Sequence, residues 1–147
     1  MAKFLYLFAL AAAIAQASAV TEITIPDISF NFLTNDLIGK SLSIPKSFLD
    51  TLVSCHVIFP NRVMYEAFPN NNLPAGNIFF LEAVQPFTSC AIGFRGAAVS
   101  LSGTYELRSL VTHVADNSRS LTRQRFHLTL QEIKPRNSQI VEESEKA

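Results

Sequence analysis

The chain has 147 residues, with twelve Lys+Arg against twelve Asp+Glu, 48% hydrophobic residues and only 16% charged ones. That length suits one domain with a substantial core. The charge balance argues against nucleic acid or an anionic membrane as the main partner, because both attract a strongly basic face.

In chain order, the first segment reads as a secretory signal. Lys3 supplies a short positive region, and Phe4 to Ile14 form an apolar run. Ala17-Ser18-Ala19 then offers the small residues of a cleavage site, which places the cut before Val20. The apolar run is too short to cross about 30 Å of hydrocarbon, and no later stretch is long enough to span. The expectation is a secreted protein with no membrane span, a domain over 20–134 and a polar tail over 135–147.

Beyond Val20 the dominant period is two, which predicts strands. Ile23, Ile25, Ile28, Phe30 and Phe32 alternate with polar residues, and Pro26 breaks the register as in an edge strand. Gly39 and Pro45 punctuate a connecting stretch. A second strand runs from Leu52 to Phe59, with Val53, Cys55, Val57 and Phe59 sharing a face. A third covers Val63 to Phe68. The segment Pro69 to Gly76 is the strongest loop signal, rich in Asn, Pro and Gly. Ile78 to Val84 reads as a dense apolar strand, followed by Cys90 to Phe94 and a corner over Gly96 to Gly103. Tyr105, Leu107, Ser109 and Val111 share the core face of the next strand. A polar turn at Asp116 to Arg119 leads into the last, where Phe126, Leu128 and Leu130 face inward. From Pro135 onward too few apolar residues remain to offset ordering entropy, which predicts disorder. About seven short strands without an amphipathic helix predict an all-β antiparallel sandwich.

The two cysteines, Cys55 and Cys90, read as one disulfide in a secreted chain. The alternatives are a catalytic thiol or a metal ligand. His56 is the only neighbour at hand for the latter, and adjacent strand residues point to opposite faces.

Ser102-Gly103-Thr104-Tyr105-Glu106-Leu107 resembles the corner that leads into strand F of an immunoglobulin-like domain, with Tyr105 at the tyrosine-corner position. The run Cys90 to Leu107 resembles strand E, the E–F corner and strand F. Thr51 to Cys55 resembles strand B, and Phe126 to Leu130 strand G. Two departures stand out. Leu107 occupies the position of the F-strand cysteine, and the C-strand tryptophan is missing, with Met64 or Tyr65 the nearest substitutes. The resemblance implies that Cys55 and Cys90 join two neighbouring strands, B and E, of one sheet.

Catalytic chemistry is not legible. His56, His113 and His127 lie in or beside strands, and none belongs to a Gly-x-Ser-x-Gly elbow or a His-Glu-x-x-His pattern. The scattered glycines form no phosphate loop. The reading is no enzyme, no cofactor and no metal. The basic group Arg119, Arg123 and Arg125 reads as a solvated strand edge and turn. The function expected is recognition of an extracellular protein partner through loops or a sheet face. Asn70, Asn71, Asn72, Asn117 and Arg119 are the candidate loop residues. The alternative is a carrier that opens its sandwich to a lipid or other small apolar ligand, as some secreted proteins with an immunoglobulin-like sandwich do. It is motivated by Phe59, Phe68, Phe79, Phe80, Phe87 and Phe94.

Overall fold

The computed structural model describes residues 20–74, 76–81 and 89–134. The segment expected to be cleaved, residues 82–88 of the expected Ile78–Val84 strand and its sequel, and the expected tail lie outside the described residues. Among the described residues eight strands form: β1 (Val20–Leu33), β2 (Leu37–Leu42), β3 (Thr51–Ile58), β4 (Met64–Phe68), β5 (Ile78–Phe80), β6 (Cys90–Arg95), β7 (Gly103–Thr112) and β8 (Arg119–Gln131). One sheet has the order β1-β8-β7-β3-β4, and the other has the order β2-β6-β5. All pairings are antiparallel except β1 with β8, which run parallel.

The period-two pattern predicts the core faces of β7 and β8. Tyr105, Leu107, Ser109 and Val111 are buried on β7, and Phe126, Leu128 and Leu130 on β8. Pro26 acts as expected of a residue without an N–H. The β1–β8 register shifts between Ile25 and Ile28, and the side-chain amide of Gln124 donates to the Pro26 carbonyl at 2.7 Å.

Three expectations need correction. The stretch around Gly39 is strand β2, not a connection. Its core-facing set is Ile38, Lys40 and Leu42, so the inward lysine hides the alternation. On β3 the buried residues are Leu52, Cys55 and Val57 rather than Val53. A bulge between Leu52 and Ser54 in the pairing with β7 turns Leu52 inward, since one extra residue reverses the faces.

The third correction concerns the cysteines. Cys55 and Cys90 are disulfide-bonded, with Cα atoms 5.3 Å apart. However, β3 pairs with β7 and β4, whereas β6 pairs with β2 and β5. The bridge therefore joins the two sheets instead of two neighbours in one. The strand at the B position, paired with the E-like β6, is β2. Strand β3, beside the F-like β7, takes the C position. Met64 and Tyr65 thus lie one strand farther out, on β4. The ring loss at the C position is met by a different fastening, in which Cys55 itself reaches across the core.

The packing centre is Tyr105. Its ring stacks on Phe126 at 5.3 Å and meets Phe94 and Phe59 edge-on at 5.3 and 5.4 Å. Its hydroxyl donates to the Leu101 carbonyl at 2.6 Å, in the single 3₁₀ turn Val99–Leu101 that builds the corner. Burial pushes the Tyr105 pKa up to about 12. Gly103 enters the strand with φ of 152°, and a Cβ there would lie 2.6 Å from Pro60. Only glycine fits both demands.

Candidate functional site

Strands β3 and β7 place two loops at one end of the sandwich, because Thr51 at the start of β3 pairs with Thr112 at the end of β7. The β2–β3 connection, residues 43–50, thus meets the β7–β8 connection, residues 113–118. Asp50 fastens them. Its carboxylate accepts the Ser47 N–H at 2.8 Å, the Val114 N–H at 3.0 Å and a ring nitrogen of His113 at 2.9 Å. These donors, Ser47 first, hold the Asp50 carboxyl far below the usual carboxylate range. A carboxylate receiving several N–H groups stays charged because each bond favours the anion.

Three apolar residues stand on the backbone that the clamp ties together. Phe48 is 90% exposed, and Leu49 and Val114 are each 60% exposed. Exposed apolar residues occur singly on most surfaces, whereas here three stand on two loops joined by one carboxylate. Loops carry recognition where a rigid scaffold positions them. Here the scaffold is the β3–β7–β8 register, and the positioning atoms are the Asp50 oxygens.

The clamp continues inward. The other ring nitrogen of His113 lies 2.8 Å from the Ser120 hydroxyl. Asp50, His113 and Ser120 therefore stand in the order of a nucleophilic triad. Ser120 is only 3% exposed and lies on the core face of β8, where no substrate carbonyl can approach it. The line of bonds serves to hold the loop pair onto the sheet. Among the described residues, no group of three His, Cys, Asp or Glu side chains is placed to hold a metal.

The five loop residues expected from the sequence are not brought together. Strands β7 and β3 separate β8 from β4. Asn117 lies in the β7–β8 turn with φ of 55°, and Arg119 opens β8 opposite Thr112 and Val20. Next to them Asp116 accepts from the Ser118 N–H and hydroxyl, which lowers its pKa. Asn70 and Asn72 instead fold the following loop back on β4. Asn70 donates through backbone and side chain to the Glu66 carboxylate at 3.0 Å, and the Asn72 side-chain oxygen accepts the Glu66 N–H. Asn71 takes the left-handed conformation between them, with φ of 46°. Phe48, Leu49 and Asp50 were missed by sequence reasoning. The available signal was an apolar pair directly after Pro45, Lys46 and Ser47, in a stretch otherwise read as a connection.

The phenylalanines divide by role. Phe94 is fully buried against Tyr105 and Phe126, and Phe59 packs on Tyr65 and Tyr105. Phe68 and Phe80 are half-buried against the core. Phe79 lies on the outer face over Gly93, with the Arg95 guanidinium 5.5 Å from its ring centre. Phe87 is outside the described residues. A polar cleft of about 250 Å³ on the outer face is lined by Thr24, Asp27, Glu106, Arg123, Gln124 and Arg125. Within it Arg125 pairs with Asp27 at 3.2 Å, and Arg123 pairs with Glu22 at 3.5 Å nearby. This accounts for the arginine group as a charge-laddered sheet face. Among the described residues, no helix is long and apolar enough to cross a membrane.

Neither a family model nor a curated protein matches the sequence. Among solved structures, the chain is similar to the Ig1 domain of mouse SynCAM 2, at 11% identity and a TM-score of 0.50, covering 74% of this chain and 94% of that one. It is also similar to murine CRIg, at 8% identity and a TM-score of 0.54, covering 70% and 92%. The strand orders, the corner at Tyr105 and these likenesses agree on one conclusion: the chain folds as a divergent immunoglobulin-like β-sandwich, fastened between its sheets by Cys55–Cys90.

Proposed function

We propose that this is a secreted binding module that recognises an extracellular protein partner through the loop end carrying Phe48, Leu49 and Val114. The observation that carries this reading is the clamp. One carboxylate joins both loops and leaves their apolar tips in water. Ordering those tips in advance reduces the entropy lost on binding. A large aromatic at the centre of a contact is a common energetic anchor. The charge balance and the mixed charges of the outer sheet face favour a protein partner over a nucleic acid. Asn117 and Arg119 border this end and belong to its rim. The immunoglobulin-like fold is compatible with the reading without requiring it.

The test is affinity capture from native extracellular fluid with the wild-type protein, the Phe48→Asp variant and the Asn71→Asp variant. A partner retained by wild type and Asn71→Asp but lost by Phe48→Asp supports the proposal. A partner lost only by Asn71→Asp moves recognition to the β4–β5 loop and overturns it.

A further inference from the structure

The four outer sheet edges differ in how their backbone groups are covered. On β4, the Asn72 N–H donates to the Glu66 carbonyl at 2.8 Å, so the following loop caps that edge. On β1, Pro26 and its bulge interrupt the edge. Edge β5 is only three residues long. Among the described residues, edge β2 has no such cover.

Its free groups follow from the ladder. The Leu81 N–H donates to Ala91 and the Arg95 N–H donates to Asn77, so residues 91, 93 and 95 of β6 face β5. In an antiparallel strand the alternate residues turn their N–H and C=O to the other side. Cys90, Ile92 and Phe94 therefore bond to Leu42, Lys40 and Ile38. That leaves the N–H and C=O groups of Leu37, Gly39 and Ser41 directed outward. The Lys40 ammonium, which donates to the Ser41 carbonyl at 2.8 Å, marks that carbonyl as free of the ladder. Leu37 is 65% exposed at the start of this edge.

Below the edge lies an apolar floor. Across the sandwich β2 lies against β7, β6 against β3 and β7, and β5 against β4. Strand β1, at the far side of β8, extends beyond β2. Its core-facing residues Ile28, Phe30 and Phe32 stand opposite Phe126, Leu128 and Leu130. The β8 residues are buried, but Phe30 and Phe32 are only partly so, and Ile28 is 39% exposed. The core face of β1 is thus incompletely covered, on the side of an edge that is unpaired among the described residues.

We propose that this groove receives one extended strand from a partner protein. Its backbone would pair with Leu37, Gly39 and Ser41, and its alternate apolar side chains would rest on Ile28, Phe30 and Phe32. The hydrogen-bonding groups demand an extended occupant, and the apolar floor demands alternation. The Lys40 ammonium at the groove favours a carboxylate on the incoming strand, to which it can move from the Ser41 carbonyl. A second copy of this chain fits less well, since β1 and β8 of each copy would extend into the space beside the other's β2. The groove is separate from the loop end, so either proposal can fail without the other.

The test is a titration of the full, isotope-labelled chain with a synthetic hexapeptide alternating valine with threonine and glutamate. The same peptide N-methylated at every residue is the control, since it lacks the N–H donors needed in either strand orientation. Saturable shifts and about tenfold slower hydrogen exchange at Gly39 and Ser41 are expected with the first peptide only. Ile28→Asp, which places a charge on the exposed part of the floor, should abolish both effects while leaving the Phe48 and Val114 signals in place. Absence of any change at Gly39 and Ser41 at millimolar peptide overturns the proposal, as does an equal response to the N-methylated peptide. Protection of Gly39 in the free chain that disappears when the chain ends at Lys134 also overturns it, by assigning the groove to the chain's own last residues.

Discussion

Tyr105→Phe removes one hydroxyl from the centre of the core and nothing else. The ring can keep its stack on Phe126 and its edge contacts with Phe94 and Phe59. What is lost is the 2.6 Å hydrogen bond to Leu101, whose carbonyl then has to find another partner. A net hydrogen bond contributes about 0.5–1.5 kcal/mol, and a buried acceptor left unsatisfied costs about 1–3 kcal/mol. The expected loss is therefore about 1–2 kcal/mol, or a fall of several degrees in Tm. Tyr105→Ala removes the ring as well and should cost about 3–5 kcal/mol. Urea unfolding followed by circular dichroism measures both, with the unfolding slope checked for constancy. If Tyr105→Phe changes stability by less than about 0.3 kcal/mol, the corner bond is not a fastening and the reasoning fails. If Tyr105→Ala costs no more than Tyr105→Phe, the ring cluster is not the packing centre.

The raised Tyr105 pKa adds a pH test. Its folded value of about 12 exceeds the unfolded value near 10. The stabilisation is complete below pH 10 and is lost as pH rises through about 12. Unfolding measured across that window should show a loss that Tyr105→Phe lacks. The core also holds a place to improve. Among the described residues the hydroxyls of Ser109 and Thr122 are buried without a hydrogen-bond partner, so Thr122→Val should stabilise by about 1–2 kcal/mol in the same assay. Replacing Cys55 and Cys90 by serine should cost about 2–5 kcal/mol. Gly93→Val should destabilise by about 1 kcal/mol, because a Cβ would meet the end of the Phe79 ring at 2.4 Å and push that half-buried ring off the sheet. Thermal scans compare these last variants directly.

Alternation of apolar residues made β7, β8 and the two halves of β1 legible, because each has one face toward the core. The corner was legible for a different reason. Gly103 and Tyr105 answer local demands, one of backbone conformation and one of a buried hydroxyl, and local demands leave residue signatures. Strand β2 escaped notice because Lys40 turns inward among Ile38 and Leu42 and then reaches back to its own edge. The inter-sheet course of the disulfide was not legible, since β3 was matched to the B position on its cysteine alone. Only the pairing with β7 assigns it otherwise. The Asp50 clamp joins residues 63 and 64 positions apart, and no local spacing announces such a contact. The Asn-rich loop attracted attention by composition. Its asparagines are partly occupied in capping Glu66.

The most direct test of the loop-end proposal is the affinity of the captured partner for wild type and Phe48→Ala, measured at one ionic strength with folding of both confirmed. The account predicts a loss of about thirtyfold or more, the scale of an anchor residue worth about 2 kcal/mol. A change smaller than about twofold would contradict it.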